Sequence, residues 1–170
     1  MSAMCSVGLA NPLSPAKLNP IQNIMKSIRI IVMAVVALVA VFLSGCVVTQ
    51  LKADVTPGTK LSEVKKLYVV KLPADERGVD RMIADRLNVM GMKATSGEKS
   101  AMPDDVDAVV TYQDKWMWDI TMYMLELNVQ LRQPKTEMAM ASGHTLRTSL
   151  ARKSPPELIK EVLDEIFKNK

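Results

Sequence analysis

The stretch Tyr123-Met124-Leu125-Glu126-Leu127-Asn128-Val129-Gln130-Leu131-Arg132, followed by Gln133-Pro134-Lys135-Thr136 and Glu137-Met138-Ala139-Met140, decides the fold class. Tyr123, Leu125, Leu127, Val129 and Leu131 alternate with Met124, Glu126, Asn128, Gln130 and Arg132. A period of two belongs to a strand with one buried and one wetted face, the mark of an antiparallel sheet. Pro134 stands where a type I turn takes a fixed φ, so the chain is expected to reverse there. Pairing Arg132 with Glu137 across the turn sets Leu131 opposite Met138 and Val129 opposite Met140. The apolar positions then share one face, and an opposite-charge pair occupies the other.

Working outward, Asp107–Trp118 contains Ala108-Val109-Val110-Thr111-Tyr112, a buried-strand composition. Val64–Leu72, with Leu67-Tyr68-Val69-Val70, is expected to be the first strand and to stop at Pro73. Asp75 is a candidate cap, and Val79, Met82, Ile83, Leu87 and Met90 recur at helical spacing before Gly91, predicting a helix over 76–90. A short strand is expected over 91–95. At the carboxyl end Ser154-Pro155-Pro156-Glu157 spells a capping box with Pro in the first turn. Leu158, Ile159, Val162, Leu163, Ile166 and Phe167 then form one helical stripe. These elements predict an α+β two-layer sandwich, a mostly antiparallel sheet of 4–5 strands with two helices, in one domain over 63–170.

The amino-terminal part reads differently. From Met25 the chain runs Met-Lys-Ser-Ile-Arg, then an unbroken apolar run from Ile30 to Leu43, then Ser44, Gly45 and Cys46. A short positive region, an apolar stretch and small residues predict a signal peptide over 25–45. The run falls short of the roughly 20 apolar residues that span a bilayer. Residues 1–24, broken by Asn11-Pro12, Ser14-Pro15 and Asn19-Pro20, are expected to be disordered or to lie upstream of a true start at Met25. Polar, turn-rich residues 46–62, with Thr56-Pro57-Gly58-Thr59, are expected to form a tether.

Leu43-Ser44-Gly45-Cys46 resembles the lipobox of bacterial lipoproteins. The resemblance implies that Leu43, Ser44 and Gly45 are read by the processing machinery, that Cys46 is acylated, and that the chain is cut before it. Two or three acyl chains, palmitate among them, make membrane release negligible. In the enterobacterial pattern an Asp after the acylated Cys favours the inner membrane. Val47 stands there, implying a lipid anchor in the outer membrane on the periplasmic face. The alternative is that Cys46 is an ordinary residue or pairs with Cys5. The part beyond Cys46 resembles, in size and topology, small periplasmic α+β accessory lipoproteins of envelope machines.

Composition bounds the function. Of 22 basic and 18 acidic side chains, the basic Lys17, Lys26 and Arg29 precede Cys46, leaving a near-neutral body with no basic cluster, so nucleic acid is not an expected partner. One His and two Cys leave little for a metal site, and no metal or cofactor is expected. Trp116 and Trp118, flanked by Asp114 and Asp119, form either a recognition ledge or a cover over the core edge beneath the last helix. Met122 with Met124 and Met138 with Met140 share soft-ligand spacing, but core packing is the favoured reading. Ser142-Gly143-His144 lacks the third group and oxyanion donors of a hydrolytic site. Asp104, Asp105 and Asp107 lack EF-hand spacing and are expected to be a solvated loop. The expectation is a non-enzymatic interaction or assembly module binding an envelope protein. The alternative is a binder of lipid, glycan or another small ligand in a groove between sheet and helices.

Overall fold

A computed structural model describes residues 20–42 and 48–168. It divides the chain into two units, 1–46 and 47–170. In the first, helix α1 runs Pro20–Phe42, so the backbone turns helical five residues before Met25. The side chains from Ile24 to Val36 are exposed. Among the described residues no helix is long and apolar enough to cross a membrane. The lipobox, Leu43 to Cys46, and Cys5 lie outside the described residues.

The second unit is α+β. Its strands are β1 (Thr49–Val55), β2 (Lys66–Val70), β3 (Lys93–Gly97), β4 (Ala108–Asp119), β5 (Thr121–Arg132) and β6 (Ala139–Arg147). Helices α2 (Val79–Val89) and α3 (Pro155–Ile166) complete it. The six strands form one sheet in the order β1-β6-β5-β4-β2-β3. This differs from the expected mostly antiparallel sheet of 4–5 strands in two ways.

First, the sheet is mixed, because β2 runs parallel to both β3 and β4. Helix α2 carries the chain back between β2 and β3, and a strand reached by such a crossover must run parallel to the one before it. Second, the segment expected to be a tether contains β1, paired antiparallel with β6 along its whole length. Its composition hid it: six of its seven side chains are exposed, so the ladder to β6 rather than apolar burial holds it.

The helices cover one face. Leu67, Val69, Ala108, Val110, Leu127, Val129 and Leu131 of the sheet meet Val79, Ile83 and Leu87 of α2 and the α3 stripe. The capping box at Ser154 and Glu157 is present, with the Ser154 N–H donating to Glu157 Oε2 at 2.9 Å. Arg86 of α2 pairs with Asp164 of α3, and Arg147 at the end of β6 reaches Glu161 at 2.7 Å.

The predicted hairpin exists, but its register differs. Val129 faces Gly143 and Leu131 faces Ala141, and after an irregularity Arg132 faces Ala139. Glu137 lies in the turn with φ +56°, its N–H bonded to the Gln133 carbonyl at 3.0 Å. Met138 is therefore 64% exposed instead of buried, Met140 is half-buried, and Glu137 pairs with Lys99 in place of Arg132. The inward face of β6 is Ala141, Gly143 and Thr145, all small. A Cβ on Gly143 would lie 2.7 Å from Val162 Cγ1 and 2.8 Å from Ile166 Cδ1, so α3 rests directly on that backbone.

A second irregularity between Lys115 and Trp116 leaves Leu125 of β5 unpaired opposite. A bulge of this kind moves the side-chain alternation by one residue. Met124 instead of Leu125 thereby becomes fully buried.

Gly143→Val is expected to destabilise the protein by about 1–3 kcal/mol through overpacking, despite the better strand propensity of Val. Urea midpoints of the two proteins measure this; an unchanged or raised midpoint contradicts the close helix–strand contact.

Candidate functional site: the apolar hairpin end

Strands β4 and β5 outrun their neighbours. Strand β2 pairs with β4 only from Ala108 to Val110, and β6 pairs with β5 only as far as Glu126. From Trp116 to Met124 the two strands pair with each other, joined by the turn Asp119-Ile120-Thr121. Ile120 adopts φ +61° and is 83% exposed. A β-branched residue in the left-handed region costs about 1–3 kcal/mol and needs its surroundings to hold it there. Here Arg152 does so: its guanidinium donates to the Asp119 carbonyl at 3.3 Å and to Thr121 Oγ1 at 2.8 Å, and packs 5.0 Å from the Tyr123 ring centroid.

The two tryptophans share a face of β4 but not an environment. Trp116 packs against the core, and its indole N–H donates to Asp114 Oδ2 at 2.5 Å. The Arg77 guanidinium sits 4.4 Å from its ring centroid, a cation–π arrangement. Trp118, directly opposite Met122, is 69% exposed. Trp116 thus lies at the core edge beside the loop that enters α2, and Trp118 stands in the open; exposure alone does not make it a recognition ledge. Asp114 and Asp119 serve within the hairpin, Asp119 also pairing with Arg152 at 3.7 Å.

Arg77 is placed by Asp75. The expected cap is not at the helix's N-cap position, which is Gly78 at φ +70°. Instead the Asp75 carboxylate accepts the N–H groups of Arg77 at 2.8 Å and Gly78 at 2.9 Å, with Asp80 at 3.3 Å, and so shapes the loop entering α2. The Tyr112 hydroxyl donates to it at 2.6 Å. Burial by itself would raise the Asp75 pKa, but the Tyr112 bond and the backbone donors outweigh it and hold the carboxyl below its ordinary value. Tyr112 is pushed the other way, by burial and by that same bond.

More exposed apolar side chains gather at this end of the sheet. Thr49, where β1 begins, pairs with Arg147, and Leu146 pairs with Glu126, so β1 starts at the end from which the hairpin projects. Val48 precedes it, and Leu150, 79% exposed, lies in the short 3-10 turn Ser149–Ala151 just beyond β6. The Thr148 N–H and hydroxyl both reach the Val48 carbonyl. Three separate segments thus present Val48, Leu150 and the set Met117, Trp118, Ile120 and Met122.

The other constellations resolve into structure. Asp107 Oδ2 accepts the Lys65 and Lys66 N–H groups at 2.9 and 2.8 Å, and Asp105 pairs with Lys66 at 2.6 Å. His144 Nε2 lies 3.1 Å from Glu126 Oε1. Asn128 also donates to that oxygen, and these bonds outweigh burial to keep Glu126 low. No group of three or more metal-ligating side chains occurs among the described residues. The space between sheet and helices, where the alternative reading set a groove, is filled by residues such as Leu127, Leu158, Ile159 and Leu163 with essentially no exposure. A cavity of about 360 Å³ lies instead against the uncovered face, along Val109, Thr111, Gln113, Asn128, Gln130 and Arg132. Position on alternate strand residues gives that face away, but its cover comes from distant loops that no local pattern announces.

No protein-family model matches the chain, and no curated protein matches it. Solved structures do. A point variant of the PelC dodecamer from Paraburkholderia phytofirmans superposes with a TM-score of 0.53 at 13% identity, over 70% of this chain and 98% of that one. A second PelC dodecamer structure from the same organism gives 0.51 at 10%, over 71% and 95%. At these identities the likeness is one of fold. A minor lipoprotein from Acinetobacter baumannii is a looser match, at a TM-score of 0.35 and 14% identity over 62% of this chain and 92% of that one.

Two outcomes test the site. Iodide is expected to quench Trp118 fluorescence strongly and Trp116 weakly, compared through Trp116→Phe and Trp118→Phe; equal quenching contradicts the split. Tyr112→Phe is expected to cost about 1–3 kcal/mol near neutrality, because Asp75 loses its side-chain donor. A lowered carboxylate pKa stabilises the fold above the unfolded value, and that contribution fades as pH falls through the folded one. The deficit should therefore narrow in acid, and a denaturation series showing a constant deficit would count against an ionised Asp75.

Proposed function

We propose that this chain is a bacterial envelope lipoprotein, held by acyl chains on Cys46, whose globular part acts by contact and not by catalysis. The carrying observation is the placement of exposed Val48, Trp118, Ile120, Met122 and Leu150 at the end of the sheet where β1 starts. Cys46 lies three residues before Thr49, so the chain allows at most about 11 Å between them. A bilayer that receives the acyl chains is then within reach of the hairpin. Apolar side chains gain roughly 25 cal/mol per Å² on leaving water, and Trp suits the interface between lipid and headgroups. Lys115 stands at the hairpin base and Arg152 beside its turn, where long basic side chains can keep their charge in the headgroup layer.

In this reading Trp118 seats the domain on the membrane and Trp116 keeps the hairpin rigid, while partner contact falls to the rest of the surface. The strands β1 and β3 end the sheet with unpaired backbone groups, the ordinary template for adding another strand. PelC is described as a dodecamer, and a homo-oligomer is the assembly we propose first for this domain. The outer membrane, periplasmic face, is the proposed location, resting on Val47 after Cys46. A second reading, binding of a small ligand, is favoured by the cavity on the uncovered face, whose volume falls within the usual range for such sites.

The full lipidated chain in phosphatidylethanolamine–phosphatidylglycerol vesicles is expected to show blue-shifted Trp118 emission relative to detergent-free unlipidated Cys46→Ser. Ile120→Asp should reverse the shift while the protein stays membrane-bound. Emission that is insensitive to lipid, or Cys46→Ser that fractionates with membranes unchanged, would sink the reading; a monomer at micromolar concentration in mild detergent would sink the homo-oligomer.

A further inference from the structure

The uncovered sheet face is polar where the cavity lies. Thr111 and Gln113 of β4 stand beside Asn128, Gln130 and Arg132 of β5, all on alternate positions that point away from the helices. Lys99, from the 3-10 turn Lys99–Ala101, and Glu137, from the β5–β6 turn, line the cavity from two other segments and meet at 3.0 Å. Val70, Met102 and Val109 add an apolar patch.

Charge and hydrogen bonding are unbalanced in this space. Lys99 and Arg132 both act on Glu137, so the lining residues carry one positive charge in excess. One arm of the Arg132 guanidinium donates to Gln130 Oε1 at 2.6 Å, but its Nε is buried with no hydrogen-bond partner. A buried donor on a charged group is costly to leave unmade. The guanidinium fork matches a carboxylate, which can accept two parallel bonds from it. Beside it, the amides of Gln113, Asn128 and Gln130 and the hydroxyl of Thr111 can each donate and accept. That is the complement of a body rich in hydroxyl groups.

We propose that this cavity is a binding site for a small hydroxylated carboxylate of the uronic-acid class, its carboxylate on Arg132 and its hydroxyls on Gln113, Asn128, Gln130 and Thr111. This deepens the ligand-binding reading and is independent of the membrane seating, since the cavity and the hairpin end lie on different parts of the sheet. Binding would use the terminal Nη groups of Arg132 and leave the Lys99–Glu137 pair undisturbed.

Isothermal titration of the full lipidated chain in dodecyl maltoside with galacturonate, galactose and acetate tests this without any variant. Galacturonate is expected to bind about tenfold or more tightly than either of the others, the effect of one charge-assisted fork added to a polar body. Arg132→Gln should abolish the preference over galactose, and Arg132→Lys should restore part of it, with circular dichroism reporting that both fold. Equal affinity for galacturonate and galactose removes the role of Arg132; equal affinity for galacturonate and acetate removes the hydroxyl contacts; no heat with any probe at millimolar concentration removes the site. None of these outcomes bears on vesicle seating, so the two readings fail separately.

Discussion

The contact on which the second unit depends is the seat of α3 on the backbone of β6 at Gly143. Side chains of Val162 and Ile166 come so close that a single methyl group there would collide with them. Ala141 and Thr145 flank the glycine on the same face, and both are buried. The helix stripe therefore sinks between small residues instead of riding on large ones, and its apolar atoms reach β5 and the neighbouring strands. A core of modest size gains most from such interdigitation, because every unfilled space forfeits dispersion contacts.

That contact also explains where sequence reasoning stopped. Alternation in Tyr123–Arg132 identified β5, and the capping box with its stripe identified α3, because both signals are local and repeat several times. The register between β5 and β6 is not local. Pairing large apolar residues suggested Met138 and Met140 as the inward positions, whereas the helix above selects the smallest residues. A shift of odd parity turned every β6 side chain over. β1 was missed for a related reason: an edge strand needs only a willing partner, and Gln50, Lys52 and Asp54 carry no apolar signal. The parallel pairing of β2 with β3 was legible in the order strand–helix–strand and follows from chain direction alone.

At the hairpin end, identical residues two positions apart have divided their labour. Trp116 is fixed by Asp114 and by Arg77, itself placed through Asp75 and Tyr112, so one buried carboxylate orders a path from the core to the base of the projection. Trp118 lies beyond that support and meets no comparable set of partners. Spacing of two puts the pair on one strand face; what decided their different fates was how far the neighbouring strands extend, and strand lengths at a sheet's margin are set by tertiary pairing.

The two faces of the sheet obey opposite rules, and their difference limits what each can do. Against the helices, Leu and Val positions are packed to exclusion, so that side can accommodate nothing further without losing stability. On the other face polar residues on β4 and β5 need partners, and neighbouring side chains satisfy only some of them. Gln130 answers one nitrogen of Arg132, while Asn128 and His144 share Glu126. The Lys99–Glu137 pair and the turns that carry it border this part of the face, and Arg132 Nε is buried there without a partner, as are the Nε atoms of Arg86 and Arg147 elsewhere in the fold. A polar face of this kind keeps donors and acceptors that can exchange partners, which the packed apolar face does not.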